Sequence, residues 1–199
     1  MAFDWTDPSW TNARRNTVEG ATDRILRMFT RSYLSVQAVT RDDEARAAYI
    51  LYFNDPGLTQ LGHVQNIVRD MHDRVAKPSQ VVQMIYVPTL AAFTALGVGA
   101  LPMGVSFDNV EAFVTQSAAP AATPLRLFIG PSFFTGNVYI PNALNQRTGT
   151  GTILHELSHG VGGTADQAYP WQPAYAGLTA AQRANNADSF RAYCQSFDA

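Results

Sequence analysis

His155-Glu156-Leu157-Ser158-His159 is the segment of this chain whose residue types and spacing can do chemistry. On a helix, side chains four residues apart share a face about one turn up. His155 and His159 can therefore direct both imidazoles at one metal ion, with Glu156 about 100° round the axis, near a water bound to that ion. This is the geometry of metal-assisted hydrolysis by a zinc peptidase. The chain has four histidines and four glutamates in 199 residues, and three of those eight fall within these five positions. Chance is a poor account of such a cluster.

A catalytic zinc usually takes three protein ligands and keeps a fourth position for water. No histidine follows His159 and no glutamate follows Glu156, which closes the HExxHxxGxxH set and the two-His-plus-distant-Glu set. The only cysteine, Cys194, lies downstream, against a Cys-His-His set with an upstream thiolate. Asp166, Asp188 and Asp198, one residue from the end of the sequence, are left. Gly160, Gly162 and Gly163 can end the helix in a left-handed turn. The seven residues from His159 to Asp166 then bring the chain back to the metal. Asp166 is the expected third ligand, the alternative being an aspartate that closes a loop.

The HELSH segment followed by Gly163-Thr164-Ala165-Asp166-Gln167-Ala168-Tyr169 resembles the aspzincins, the deuterolysin group of zinc endopeptidases, whose pattern is HExxH plus GTxDxxY. Asn186-Ala187-Asp188-Ser189-Phe190 is similar to the NADSY segment of their peptidyl-Lys branch. The likeness is strong over residues 149–193 and general before them. It implies a zincin-like fold, one catalytic Zn2+, a polypeptide substrate and Asp166 as third ligand. It also implies that Tyr169 steadies the tetrahedral intermediate. Pro170 stands where a glycine commonly follows the tyrosine, Phe190 replaces a tyrosine, and the paired cysteines of secreted fungal relatives are missing.

These residues imply a mechanism. Zinc lowers the pKa of its water and polarises the scissile carbonyl, Glu156 is the general base, and Tyr169 donates to the oxyanion. Asp188 has two readings. It can accept the second ring N–H of a zinc-bound histidine, or it can line a substrate pocket and pair with a lysine after the scissile bond. The resemblance favours the pocket. A single lysine, Lys77, against thirteen arginines would spare a lysine-directed peptidase from self-digestion. A coding bias toward arginine and alanine explains the count more simply.

The elements that must position these groups are legible in part. Ala13 to Val39, Arg41 to Phe53 and Leu58 to Val75 carry apolar residues at helical spacing, and Asn54-Asp55-Pro56-Gly57 breaks the second from the third. His63 and His72, nine apart, fall on different parts of the third helix and are read as non-ligands. Residues 81–87, 125–129 and 137–140 read as short strands. One of the last two is expected to bind extended substrate along its edge. Residues 95–124 read as loop-rich. A polar lead at Thr150–Thr152 opens the HExxH helix, and a final helix is expected from Thr179 to Phe197, with Cys194 in its buried stripe.

The class expected is therefore α+β and zincin-like: a mainly helical N-terminal part, short strands in the middle, the HExxH helix and a C-terminal helix. Residues 1–12 read as an irregular arm with Trp5, Pro8 and Trp10, and 13–199 as a single metallopeptidase domain, expected to be a monomer. Net charge −2 and a pI near 6.0 give no electrostatic case for nucleic acid or anionic membrane. No stretch approaches the length of a membrane span. The first twenty residues lack a signal peptide's apolar core. The expectation is a cytoplasmic protein, or an exported effector whose signal is not in this chain. Two other readings compete with the peptidase: a zinc-binding interaction module without turnover, or a metal hydrolase of a non-protein substrate. A blocked pocket or a misplaced Tyr169 would favour the first, and a closed pocket without an adjacent strand edge the second.

Overall fold

A computed structural model describes residues 2–4, 9–77, 81–98, 106–114, 125–137, 139–140, 144 and 146–198. Three helices lead: α1 (Asn12–Ala38), α2 (Asp43–Phe53) and α3 (Leu61–Ala76). Thr11 caps α1 by accepting from the Arg14 amide, and Asp42 caps α2 by accepting from the Ala45 amide. Asn54, in the left-handed region at φ 50°, ends α2. Val18, Ala21, Ile25, Met28, Phe29 and Val36 form the buried stripe of α1, which packs along α3.

The buried carboxylate of Asp55 builds the turn between α2 and α3. It accepts from the Tyr49 hydroxyl at 2.7 Å, the Thr59 amide and hydroxyl at 2.9 Å each, and the Gln60 amide at 2.7 Å. Burial alone would raise its pKa. The Gln60 amide, the Tyr49 hydroxyl and the Thr59 donors outweigh burial and hold it below the usual carboxylate value.

A four-stranded sheet follows: β1 (Ala2–Asp4), β2 (Val81–Tyr86), β3 (Ala112–Val114) and β4 (Leu125–Ile129), in the order β1-β2-β4-β3. β1 and β4 run parallel to β2, with Phe3 opposite Val82 and Ile85 opposite Phe128. β3 is antiparallel to β4, with Phe113 opposite Phe128 and their rings stacked at 4.7 Å. A short helix α4 (Leu90–Ala95) lies between β2 and β3.

The HExxH segment lies in α5 (Gly149–Gly162), capped by Thr148, whose hydroxyl accepts from the Gly151 amide at 3.0 Å. Three helices close the chain: α6 (Pro173–Ala176), α7 (Ala180–Ala184) and α8 (Ala187–Gln195). One apolar cluster joins α1 and α3, the inner face of the sheet, and Ile153, Leu154 and Leu157 of α5 to Phe190 and Tyr193 of α8. The overall class is mostly helical α+β, as expected.

Four expectations change. Ala2–Asp4 is a strand rather than part of an irregular arm, while Trp5 and Pro8 lie outside the described residues. Trp10 is buried and donates from its indole nitrogen to the Met84 carbonyl at 3.0 Å. Residues 137, 139 and 140 form no strand, and Val138 is outside the described residues. The 95–124 segment contains β3, and the single helix expected over Thr179–Phe197 is broken at Asn185-Asn186. Asn186 is instead committed by backbone and side chain to residues 165–168.

Candidate metal centre

Gly163, at φ 61°, takes the left-handed position that ends α5, and its amide returns to the His159 carbonyl at 3.0 Å. Gly160 and Gly162 do something other than the expected turn. A Cβ on Gly160 would lie 2.7 Å from Leu125 Cδ1, and one on Gly162 2.9 Å from Ile67 Cδ1. Their bare backbones let α5 pack close to β4 and α3.

The chain then reverses. Ala165 pairs in a single parallel bridge with Asn186: the Ala165 amide donates to the Asn185 carbonyl at 2.9 Å, and the Ala187 amide to the Ala165 carbonyl at 3.0 Å. The Asn186 side chain accepts from the Gln167 amide at 3.0 Å and donates to the Ala168 carbonyl at 2.9 Å. The break between α7 and α8 thus holds the loop that carries Asp166.

Three ligand atoms converge at this point. His155 Nε2 and His159 Nε2 lie 3.0 Å apart, and Asp166 Oδ1 lies 2.9 Å from the first and 3.3 Å from the second. Ligands about 2.0–2.1 Å from a tetrahedral zinc stand roughly 3.3 Å from one another, so the triangle is close to the required size. The outer nitrogens fix the tautomers. His155 Nδ1 is 3.0 Å from Asp188 Oδ2, and His159 Nδ1 is 2.7 Å from the Thr164 carbonyl oxygen. Both partners only accept, so each Nδ1 donates, and either ring, when neutral, would turn a lone pair on Nε2 toward the other and toward Asp166. Two imidazoles and a carboxylate at this separation could hold a metal ion, and their donor types suit zinc.

The electrostatics agree. Burial works against a charge on His155, but the hydrogen bonds to Asp166 and Asp188 prevail and push it up to about 10. Hydrogen bonds from His155 and His159 hold Asp166 far below the usual carboxylate value. The centre thus attracts positive charge, and a metal that binds there must displace protons.

Glu156 is buried, with Oε1 4.0 Å from His155 Nε2. Its Oε2 accepts from the Val114 amide of β3 at 3.0 Å. Burial raises its pKa to about 7, against the lowering pull of the two histidines. Tyr169 stacks on Trp171 at 4.9 Å, and its hydroxyl accepts from Arg147 Nη2 at 3.0 Å. Burial raises the Tyr169 pKa, while the Arg147 charge opposes the rise. Asp188 is buried behind His155, with Oδ1 held by Arg191.

All these groups line one open cleft of about 830 Å³, to which β3, Tyr169 and Trp171 also contribute. The strand beside α5 is β3, not either of the two runs expected. Leu125–Ile129 is enclosed between β2 and β3 and has no free edge. Just before β3 the Glu111 carbonyl accepts from the Gly130 amide, on the β4 side, and within β3 the Val114 amide points to Glu156. Antiparallel alternation therefore turns the Ala112 amide and carbonyl toward the cleft as well.

His63 is exposed, and His72 pairs with Asp73 at 3.3 Å and stacks on Tyr33 at 5.1 Å, so neither belongs to this site. Cys194 is buried beside Ser32, and burial pushes its thiol up to about 12, as fits a core residue.

Four groups at the site were not expected from the sequence: the Val114 amide, the Thr164 carbonyl, Arg147 and Arg191. The first two are backbone groups and carry no residue signature. The arginines are two among thirteen.

Residues 109–195 match the Aspzincin M35 family, described as lysine-specific metallo-endopeptidase. Over 94% of this chain and 97% of the other, the fold is similar to that of a zinc peptidase from Grifola frondosa, with a TM-score of 0.65 at 16% identity. Comparison with curated protein sequences gives no match.

Proposed function

We propose that this chain, a metalloendopeptidase of the aspzincin family by its residues 109–195, hydrolyses peptide bonds with Glu156 as general base. His155, His159 and Asp166 would hold one zinc ion. Bound there, zinc would make a coordinated water more acidic and polarise the scissile carbonyl. The observation that carries this reading is the convergence of His155 Nε2, His159 Nε2 and Asp166 Oδ1 within 3.3 Å, with both outer ring nitrogens donating to oxygen.

Each of the chain's own groups has a task. Glu156, tuned toward neutrality by burial, takes a proton from the attacking water and passes it to the departing amine. Tyr169 accepts from Arg147, which leaves its own hydroxyl proton for the developing oxyanion. Asp188 holds His155 in the tautomer whose Nε2 faces the metal. The edge of β3 that is unpaired among the described residues pairs with extended substrate through the backbone of Ala112. That edge and the open cleft favour a polypeptide over a small non-protein substrate.

Digestion of denatured casein, followed by chelation and then by zinc replacement, tests the reading. Fragments should form, cease to form with the chelator, and form again with zinc. Fragments that persist in the chelator would contradict the reading.

A further inference from the structure

The metal chemistry leaves one charge arrangement in the cleft without a task. Arg191 lies one turn along α8 from Asp188, and both side chains are 3% exposed. Arg191 Nε donates to Asp188 Oδ1 at 2.5 Å, Nη1 to Gln195 Oε1 at 2.6 Å, and Nη2 to the Leu144 carbonyl at 3.1 Å. Its guanidinium carbon lies 5.1 Å from the centre of the Trp171 ring. The other oxygen of Asp188 is 3.0 Å from His155 Nδ1. Both oxygens of Asp188 are thus engaged from inside the protein, and its charge is balanced by a guanidinium held on three sides.

A lysine side chain entering beside His155 would need an unengaged carboxylate. It would meet one already paired, with Arg147 as a second cation on the same cleft. An ammonium could pair with Asp188 only by breaking a buried ion pair whose guanidinium has no other carboxylate partner within 4 Å among the described residues, which is strongly unfavourable. Specificity arises as much from such repulsion as from attraction.

Taking the peptidase reading as its basis, we infer that Arg191 is a specificity-determining residue: it occupies the Asp188 carboxylate against a substrate ammonium, so that the residue after the scissile bond is accepted as a neutral side chain in preference to lysine. Gly151, Thr148 and Trp171 line the same cleft and carry no charge. Glu111, which accepts from the Thr152 hydroxyl, is the other carboxylate on the cleft outside the ligand set and Glu156.

Mass spectrometry of the fragments from denatured casein, for the zinc-loaded parent and for Arg191→Gln, reads the inference. Lysine should follow the parent's cuts no more often than its abundance in the substrate, and should be enriched several-fold for Arg191→Gln. Lysine enrichment in the parent would overturn the inference and point to Glu111. A folded Arg191→Gln protein with the parent's cut-site profile would overturn the role of Arg191.

A binding measurement stands apart from turnover and from the folding of that variant. Zinc-loaded Glu156→Ala protein is titrated calorimetrically with two peptides that differ only in lysine or norleucine at the position in question. Norleucine should bind more tightly, and tighter binding of lysine would overturn the inference. A parent that binds these peptides yet cuts no protein would count against the peptidase reading and leave the binding order to judge Arg191.

Discussion

Asp188 Oδ2 lies 3.0 Å from His155 Nδ1, so a carboxylate 33 positions further along the chain engages one ring nitrogen of His155 and leaves Nε2 beside His159 and Asp166. An asparagine can keep the shape of this contact but not its charge, and its amide group can turn a donor toward Nδ1. Asp188→Asn should therefore weaken zinc binding by about 10–100-fold, the range found for partners of metal-bound histidines. Competition against a chromogenic chelator would measure it. Unchanged affinity would remove Asp188 from the metal centre.

Tyr169 receives a hydrogen bond from Arg147 at 3.0 Å and stacks on Trp171. Tyr169→Phe keeps the stack and removes the hydroxyl. The expected result is a fall in kcat of about 10²–10³, as for the loss of one oxyanion donor, with little change in KM. Steady-state kinetics on a quenched-fluorescence peptide separates the two. A rise in KM with kcat preserved would make Tyr169 a substrate-packing residue instead.

Ala112 turns its amide to the open edge of β3, where proline removes a donor without breaking a bond to β4. Ala112→Pro should raise KM for long peptides far more than for a short ester or dipeptide substrate. Equal effects on long and short substrates would show that the edge does not bind substrate.

Asp55 links stability to pH. Its folded pKa is depressed by four hydrogen bonds from Tyr49, Thr59 and Gln60. The stabilisation is thus fully present above the unfolded value, about 3.9, and is lost as pH falls through the lower folded value. Asp55→Asn should cost about 1–3 kcal/mol near neutrality and flatten the acid limb of a urea-unfolding series. An acid limb identical to the parent's would assign acid unfolding to other groups.

The candidate metal centre was legible because its groups lie close in sequence and its chemistry needs particular residue types. The shared face of His155 and His159, with Glu156 beside it, follows from helical periodicity, and Asp166 is preferred among three downstream aspartates for its spacing after a glycine turn and for the family resemblance. The strand that faces them was not legible. Glu111-Ala112-Phe113-Val114 is too short for alternation to register, and it stands in a segment rich in glycine, alanine and proline. It is a strand because Phe113 stacks on Phe128 and the Val114 amide meets Glu156, contacts made across 15 and 42 positions. The break at Asn185-Asn186 was hidden for a similar reason, since Asn186 is committed to the Asp166 loop only in three dimensions. Asp188 kept open readings in the sequence because its contacts to His155 and Arg191 bear on them, and a one-dimensional pattern does not contain those contacts.

The most direct test compares zinc-loaded parent and Glu156→Ala protein on denatured casein, with zinc content measured in both. One zinc per chain is expected in each protein, with a fall in cleavage of about 10²–10⁴ in the variant, the range for a lost general base. Cleavage by Glu156→Ala at the parent's rate, with zinc bound in both, would contradict the role of Glu156 and the mechanism built on it.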